Sequence, residues 1–170
     1  MYTQGKDEQV LIGYSISDLG GDLNKRRSTG GMAFYLNESL ISWCSQKQKT
    51  VALSSCESEF MAATAAAMHA LWLRTLLSEL TAKEPRVVTL YVDNNSAIAL
   101  MKIPFFLGRS KHIDITFHFI RECIERRQIS VKRVCTDEQK ADSLTKPLPA
   151  TRLAVMKHLL GVRDLIAHQN

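Results

Sequence analysis

The chain carries no Cys-x-x-Cys pair, no internal repeat, no low-complexity segment and, on a reading of its apolar runs, no stretch of transmembrane length. Each absence removes a class of protein. Four scattered cysteines, Cys44, Cys56, Cys123 and Cys135, suit reduced thiols in an intracellular protein and argue against a zinc site or a disulfide framework. The segment from Met1 to Glu8 is too polar for a signal peptide, so neither export nor a membrane partner is expected. What remains is ordinary for a globular domain: 170 residues, 45% apolar and 23% charged, enough to bury a core in one domain. A formal net charge of +5 and a pI near 9.1 point to an anionic partner, nucleic acid first.

Glycine and proline are also missing from Ser55 to Leu80, and this stretch organises the rest. Ser54 and Glu57 have the Ser-x-x-Glu spacing of a capping box, so a helix is predicted to start there. Behind the cap, Phe60, Ala63, Ala67, Ala70, Leu71, Leu77 and Leu80 fall roughly on one face at helical spacing. The cap accounts for Glu57. Glu59, in the same first turn, is left over.

Val10 to Ile16 reads as a buried strand, followed by a loop through Ser17, Asp18, Gly20 and Gly21. Gly31 to Leu36 and Ser39 to Cys44 are predicted as two more strands of an antiparallel meander. After the long helix, Val87 to Asp93 has the apolar character of a strand buried on both faces. Asn94-Asn95-Ser96 leads into a short helix ending near Lys102, and Ile103 to Lys111 reads as a loop. A helix is expected from about His112 to Arg127, a strand from Ile129 to Cys135, a helix carrying Asp142, and an amphipathic helix from about Ala150 to Leu160. Trp43, Trp72 and the phenylalanines read as core. Three antiparallel strands, then strands alternating with helices, predict a mixed sheet flanked by helices. The expected division is an N-terminal extension over 1–9, a domain over 10–160 and a tail over 161–170.

Glu59 opens a helix, Asp93 ends a buried strand and Asp142 lies near the start of a late element; such positions converge at one edge of an open α/β sheet. Carboxylates sharing a site repel one another and call for hard divalent cations, which at a two-ion site activate water and stabilise the leaving oxygen of a phosphodiester. Simpler readings stand beside this one: a first-turn surface acid for Glu59, a helix-initiating residue for Asp93, a solvated residue for Asp142. Likewise the basic run Lys25-Arg26-Arg27-Ser28-Thr29 is either a solvated loop or a phosphate contact.

The wording of the sequence is more specific than its spacing. Gly13-Tyr14-Ser15-x-x-Asp18, Arg26-Arg27-Ser28-Thr29-x-Gly31 and Ile41-Ser42-Trp43-x-Ser45-x-Lys47-Gln48-Lys49-Thr50 resemble the ribonuclease H domain of copia-type retrotransposon polyproteins. So do Glu57-x-Glu59-Phe60-Met61-Ala62, Asp93-Asn94-x-Ser96-Ala97-Ile98, Lys111-His112-Ile113-Asp114, His118-Phe119-Ile120-Arg121-Glu122 and Ala141-Asp142-x-Leu144-Thr145-Lys146-Pro147-Leu148. The resemblance runs in order over about residues 11–160. It implies a ribonuclease H-like α/β fold with a five-stranded sheet and hydrolysis of the RNA strand of RNA–DNA hybrids with Mg²⁺ or Mn²⁺. Carried over by motif, Glu59, Asp93 and Asp142 match three of the family's four metal-binding carboxylates, and Lys25, Arg26, Arg27, Lys47, Lys49, Arg109 and Lys111 become candidate phosphate contacts. His112 is read either as assisting product release or as capping its own helix.

One position departs from the pattern. The first carboxylate should close the opening strand, in Gly-Tyr-Ser-Asp-x-Asp, and here that position is Ile16. Asp18 survives two residues on, about 6.6 Å further along an extended strand, and substitutes only if the loop folds back. Leu19 and Gly20 replace the family's usual Trp-Ala. The expectation is a stand-alone, degenerate or host-adopted ribonuclease H domain with little or no nuclease activity, its alternatives being an active nuclease that uses Asp18 or a single metal, a non-catalytic binder of hybrid or other nucleic acid, and a protein-interaction domain.

Overall fold

Burial alternates from Leu11 to Ser15, with Ile16 buried as well, and Leu11–Ser17 is β1, the central strand of a five-stranded sheet. The computed structural model describes residues 9–22, 24–102 and 111–162, without the side chains of 111–114. β1 pairs antiparallel with β2 (Thr29–Leu36), and β2 pairs antiparallel with the edge strand β3 (Ser39–Lys47). On its other side β1 runs parallel to β4 (Val88–Val92), which runs parallel to β5 (Ile129–Arg133) at the opposite edge. The order is β3-β2-β1-β4-β5. Parallel neighbours need crossovers. α1 (Ser55–Thr81) leads from β3 to β4, while α2 (Asn95–Lys102) and α3 (Lys111–Glu125) lead from β4 to β5. α4 (Ala150–Leu159) follows at the end of the described chain. This is the mixed sheet flanked by helices that the sequence predicts.

One face of the sheet meets α1, α2 and α3. Leu11, Phe34, Val88 and Leu90 pack there against Phe60, Ala63, Ala67 and Ala70 of α1. Gly13 belongs to this face because the Phe34 ring lies over it. A Cβ added at Gly13 would stand 2.5 Å from Phe34 Cε1 and 3.0 Å from Leu90 Cδ1. The other face carries a smaller cluster, Ile16, Ala33, Tyr35 and Ala141, with Tyr14, Leu40, Leu144 and Leu160 packed against it.

Several expectations need correction. No helix carries Asp142. Two single 3₁₀ turns, Thr136–Glu138 and Asp142–Leu144, stand there instead. A tertiary contact overrides local propensity at that point. The fully buried Gln139 donates its amide to the Ser15 carbonyl at 2.9 Å and accepts from Ala141 N at 3.3 Å, which pins the segment to β1. α4 is less amphipathic than its spacing suggests, with Met156 alone buried. Trp43 and Trp72 are 65% and 59% exposed, so neither is core. Leu80 is exposed as well, at the C-terminal end of α1. By length and composition α1 could cross a membrane, contrary to the reading of apolar runs, but its apolar face forms the core with the sheet. The four cysteines are free thiols.

Candidate active site

The capping box forms at the start of α1. Ser54 Oγ accepts from Glu57 N at 3.1 Å, and Glu57 Oε2 accepts from Leu53 N at 2.7 Å, one residue before the cap. With Glu57 so engaged, the next turn directs Glu59 inward. Glu59 is 5% exposed, its Oε1 accepts from Ser17 N at 2.8 Å, and its Oε2 is buried with no hydrogen-bond partner. The surface-acid reading of Glu59 is thereby excluded. Ser17 ends β1, so Glu59 ties the start of α1 to the C-terminal end of the central strand.

Asp93 follows β4 directly, at the same end of the sheet. It does not initiate α2; the Asn94 side chain does, accepting from Ser96 N at 2.9 Å and Ala97 N at 3.1 Å. Asp142 is 3% exposed and reaches this edge because the segment 141–145 lies against Gly31, the partner of Ile16 across β1 and β2. A Cβ at Gly31 would meet Leu144 Cβ at 2.9 Å, Thr145 Cγ2 at 3.0 Å and the Ala141 carbonyl at 3.1 Å, so only glycine allows that approach. Lys146 Nζ stands 3.4 Å from Asp142 Oδ1, and Arg152 Nε 3.6 Å from Asp142 Oδ2.

The three carboxylates share one electrostatic field. Burial pushes Glu59 up to about 8, with the Ser17 N–H and Lys146 opposing and the charge of Asp93 adding. Burial likewise raises Asp93, and Asp142 adds to the shift while the Asp93 N–H, Lys146 and Arg133 oppose it. A carboxyl whose folded pKa lies above its unfolded value stabilises most at low pH and loses that contribution as pH rises through the folded pKa. For Glu59 the loss falls between about pH 4.5 and about pH 8. Glu59→Gln keeps the acceptor for Ser17 N and removes the charge. Its melting temperature is therefore expected to match the wild type near the low end of that window and to exceed it by several degrees above about pH 8. Thermal melts across the range check this, and a difference that stays flat with pH would refute it.

Ile16 is 5% exposed and packs with Ala33, Tyr35 and Ala141, next to Asp142. Asp18 does not fold back toward Glu59. Its N–H bonds to the Thr29 carbonyl at 3.1 Å, and its Oδ1 accepts a hydrogen bond from Thr29 N, so the carboxylate braces the loop between β1 and β2. Of the candidate phosphate contacts, Lys25, Arg26 and Arg27 lie in that loop, while Lys47 and Lys49 lie at and just beyond the end of β3. Thr29 pairs with Lys47 and Gln48 N donates to Ser28 O at 2.8 Å, which brings these groups to the end of the sheet where Ser17 and Glu59 meet. Lys47 is ion-paired with Asp22 at 2.8 Å, a hydrogen bond that, with the Asn24 and Lys25 amides, holds Asp22 down at about 2. Arg109 lies outside the described residues, as do the side chains of Lys111 and His112. Sequence reasoning assigned no role to Gln48, whose amide donates to Ser17 Oγ at 3.2 Å and Ser58 O at 2.8 Å, nor to Lys146. Both stand inside the quoted motifs, which was the available signal.

The buried Glu59 Oε2 and Asp142 Oδ1 accept no hydrogen bond and are hard oxygen donors of the kind a divalent cation takes. The rest of the arrangement does not suit the pair of ions that the resemblance implies. Ile16 offers no oxygen, Asp142 is already faced by Lys146 and Arg152, and among the described residues no three His, Cys, Asp or Glu side chains stand close enough to hold a metal ion.

No protein-family model matches the chain. It is 38% identical over 160 residues, 94% of its length, to the retrovirus-related Pol polyprotein from transposon TNT 1-94 of Nicotiana tabacum. It is 39% identical over 152 residues, 89% of its length, to the corresponding polyprotein from transposon RE1 of Arabidopsis thaliana. These alignments span 12% and 10% of the two relatives. Among solved structures, LC11-RNase H1 in complex with an RNA/DNA hybrid superposes with a TM-score of 0.56 at 12% identity, covering 79% of this chain and 93% of that one.

Proposed function

From the premise that this chain belongs to the Pol polyproteins of copia-type retrotransposons and has a ribonuclease H-like fold, we propose that its carboxylate edge receives an RNA–DNA hybrid and that hydrolysis there is strongly impaired. The observation that carries the reading is the convergence of Glu59, Asp93 and Asp142 beside a buried isoleucine, where the family pattern has a fourth carboxylate. Lys25, Arg26, Arg27 and Lys49 approach this edge from the β1–β2 loop and the end of β3, as an electrostatic track for a phosphate backbone requires. The LC11-RNase H1 complex supports the substrate class by likeness of fold. We take residues 10–160 as the functional unit, and the four free thiols suit an intracellular setting.

If these four cations each neutralise a phosphate, affinity for a hybrid should fall roughly 100-fold for a fourfold rise in salt. Replacing Lys25 and Arg26 by glutamine should reduce the logarithmic salt slope by about 0.9 per residue removed. Fluorescence anisotropy with a labelled hybrid reads both, and a salt-independent affinity would overturn the binding reading. Catalysis is tested on the same hybrid with Mg²⁺ and with Mn²⁺, the wild type beside Glu59→Gln. The buried Glu59 Oε2 and Asp142 Oδ1, which accept no hydrogen bond, favour the rival reading of an active nuclease. Wild-type cleavage that disappears in Glu59→Gln would establish that rival.

A further inference from the structure

We propose that Lys146 is a tethered counter-ion that balances the carboxylate edge in the absence of a divalent cation and competes with such a cation for Asp142. Asp142 is almost wholly buried and its Oδ1 accepts no hydrogen bond, yet Lys146 Nζ lies 3.4 Å from that atom. Arg152 approaches the other carboxylate oxygen at 3.6 Å. A buried carboxylate is stable only when its charge is matched, and here the match comes from the chain itself. Lys146 is half exposed, so its ammonium stays hydrated on one side and can swing away. Its charge also acts on Glu59 and Asp93, though its ion pair is with Asp142. Ile16 contributes to the same balance. With a carboxylate there, four acidic side chains would share the edge that Lys146 balances; with isoleucine there are three.

A lysine and a divalent ion cannot both occupy the approach to Asp142 Oδ1. Removing the ammonium should leave Asp142 with Arg152 on Oδ2 alone and its Oδ1 unmatched, an oxygen donor free for metal. The test compares the full chain with Lys146→Met and Lys146→Arg by thermal melting in EDTA, Mg²⁺ or Mn²⁺, and by calorimetric titration with Mn²⁺. The wild type should melt at the same temperature in EDTA and in Mg²⁺. Lys146→Met should melt lower in EDTA, recover with either cation, and bind Mn²⁺ about tenfold tighter or more. Lys146→Arg should behave as the wild type. Adding Asp142→Asn to Lys146→Met should abolish the recovery. The proposal is overturned if Lys146→Met melts with the wild type in EDTA, if its loss is not repaired by cation, or if the wild type already binds Mn²⁺ as tightly as the variant. These readouts involve no nucleic acid, so a failure of hybrid binding would leave them standing.

Discussion

Ile16→Asp is expected to raise Mg²⁺- or Mn²⁺-dependent cleavage of an RNA–DNA hybrid by roughly two orders of magnitude over the wild type, the size associated with one well-placed group that stabilises transition-state charge. The same change is expected to lower stability in EDTA by about 3 kcal/mol or more. Both effects follow from where Ile16 sits. Its side chain is buried against Ala33, Tyr35 and Ala141, and Asp142 is the residue after Ala141. A carboxylate placed there leaves water, loses the apolar contacts and meets a like charge. A divalent cation relieves that repulsion, so the melting temperature of the variant should climb with added metal more than that of the wild type. Hybrid cleavage assays and melts with and without EDTA measure the two arms. A folded Ile16→Asp chain that stays inert with both metals would place the defect elsewhere, with Leu19 and Gly20 the first positions to revert.

Phe34→Ala is the second large effect expected, a loss of about 3–5 kcal/mol. Such a loss would consume much of the roughly 5–15 kcal/mol that holds a domain of this kind folded. Phe34 is fully buried on β2 and its ring fills the space left by the absent side chain of Gly13 on β1. The two residues are therefore one packing unit. Gly13→Ala alone should cost about 1–3 kcal/mol by overpacking, because its Cβ would lie 2.5 Å from the ring. In Phe34→Ala the same methyl group enters space that the ring has vacated. The double variant should then be more stable than the sum of the single changes predicts, by at least about 0.5 kcal/mol. Denaturant titration of the four proteins decides it, and simple additivity would mean that the ring moves aside for the methyl group at little cost. The packing matters for the site because β1 carries Ser17, whose N–H holds Glu59.

How much of this could be read in advance differs from residue to residue. Glu59 was separable from Glu57 because the capping box is a local pattern, and the structure forms that box. Asp93 was legible as the end of a strongly apolar strand, although the helix-initiating role that competed for it falls to Asn94. The tryptophans depart from the core positions that their sequence predicts. Trp43 lies on β3, and the sequence pattern does not say that β3 becomes a sheet edge; Trp72 lies on the solvent side of a helix whose sheet-facing residues are mainly small. The helix expected around Asp142 fails because Gln139 bonds to Ser15, 124 residues away, and no local propensity encodes that contact.

The sequence by itself determined the alternation of strands and helices, the start of α1, the identity of three acids and the absence of a fourth at Ile16. These depend on periodicity, on caps and on which residue type stands at a position, all of which are written locally. Only the tertiary structure decided that Asp18 turns to Thr29 rather than to Glu59, that Gly31 lets the 141–145 segment settle against the sheet, and that Lys146 meets Asp142 at the carboxylate edge. Each of these is a matter of where a charge or a backbone comes to rest once distant segments pack, and desolvation then sets how strongly the neighbouring charges act on one another.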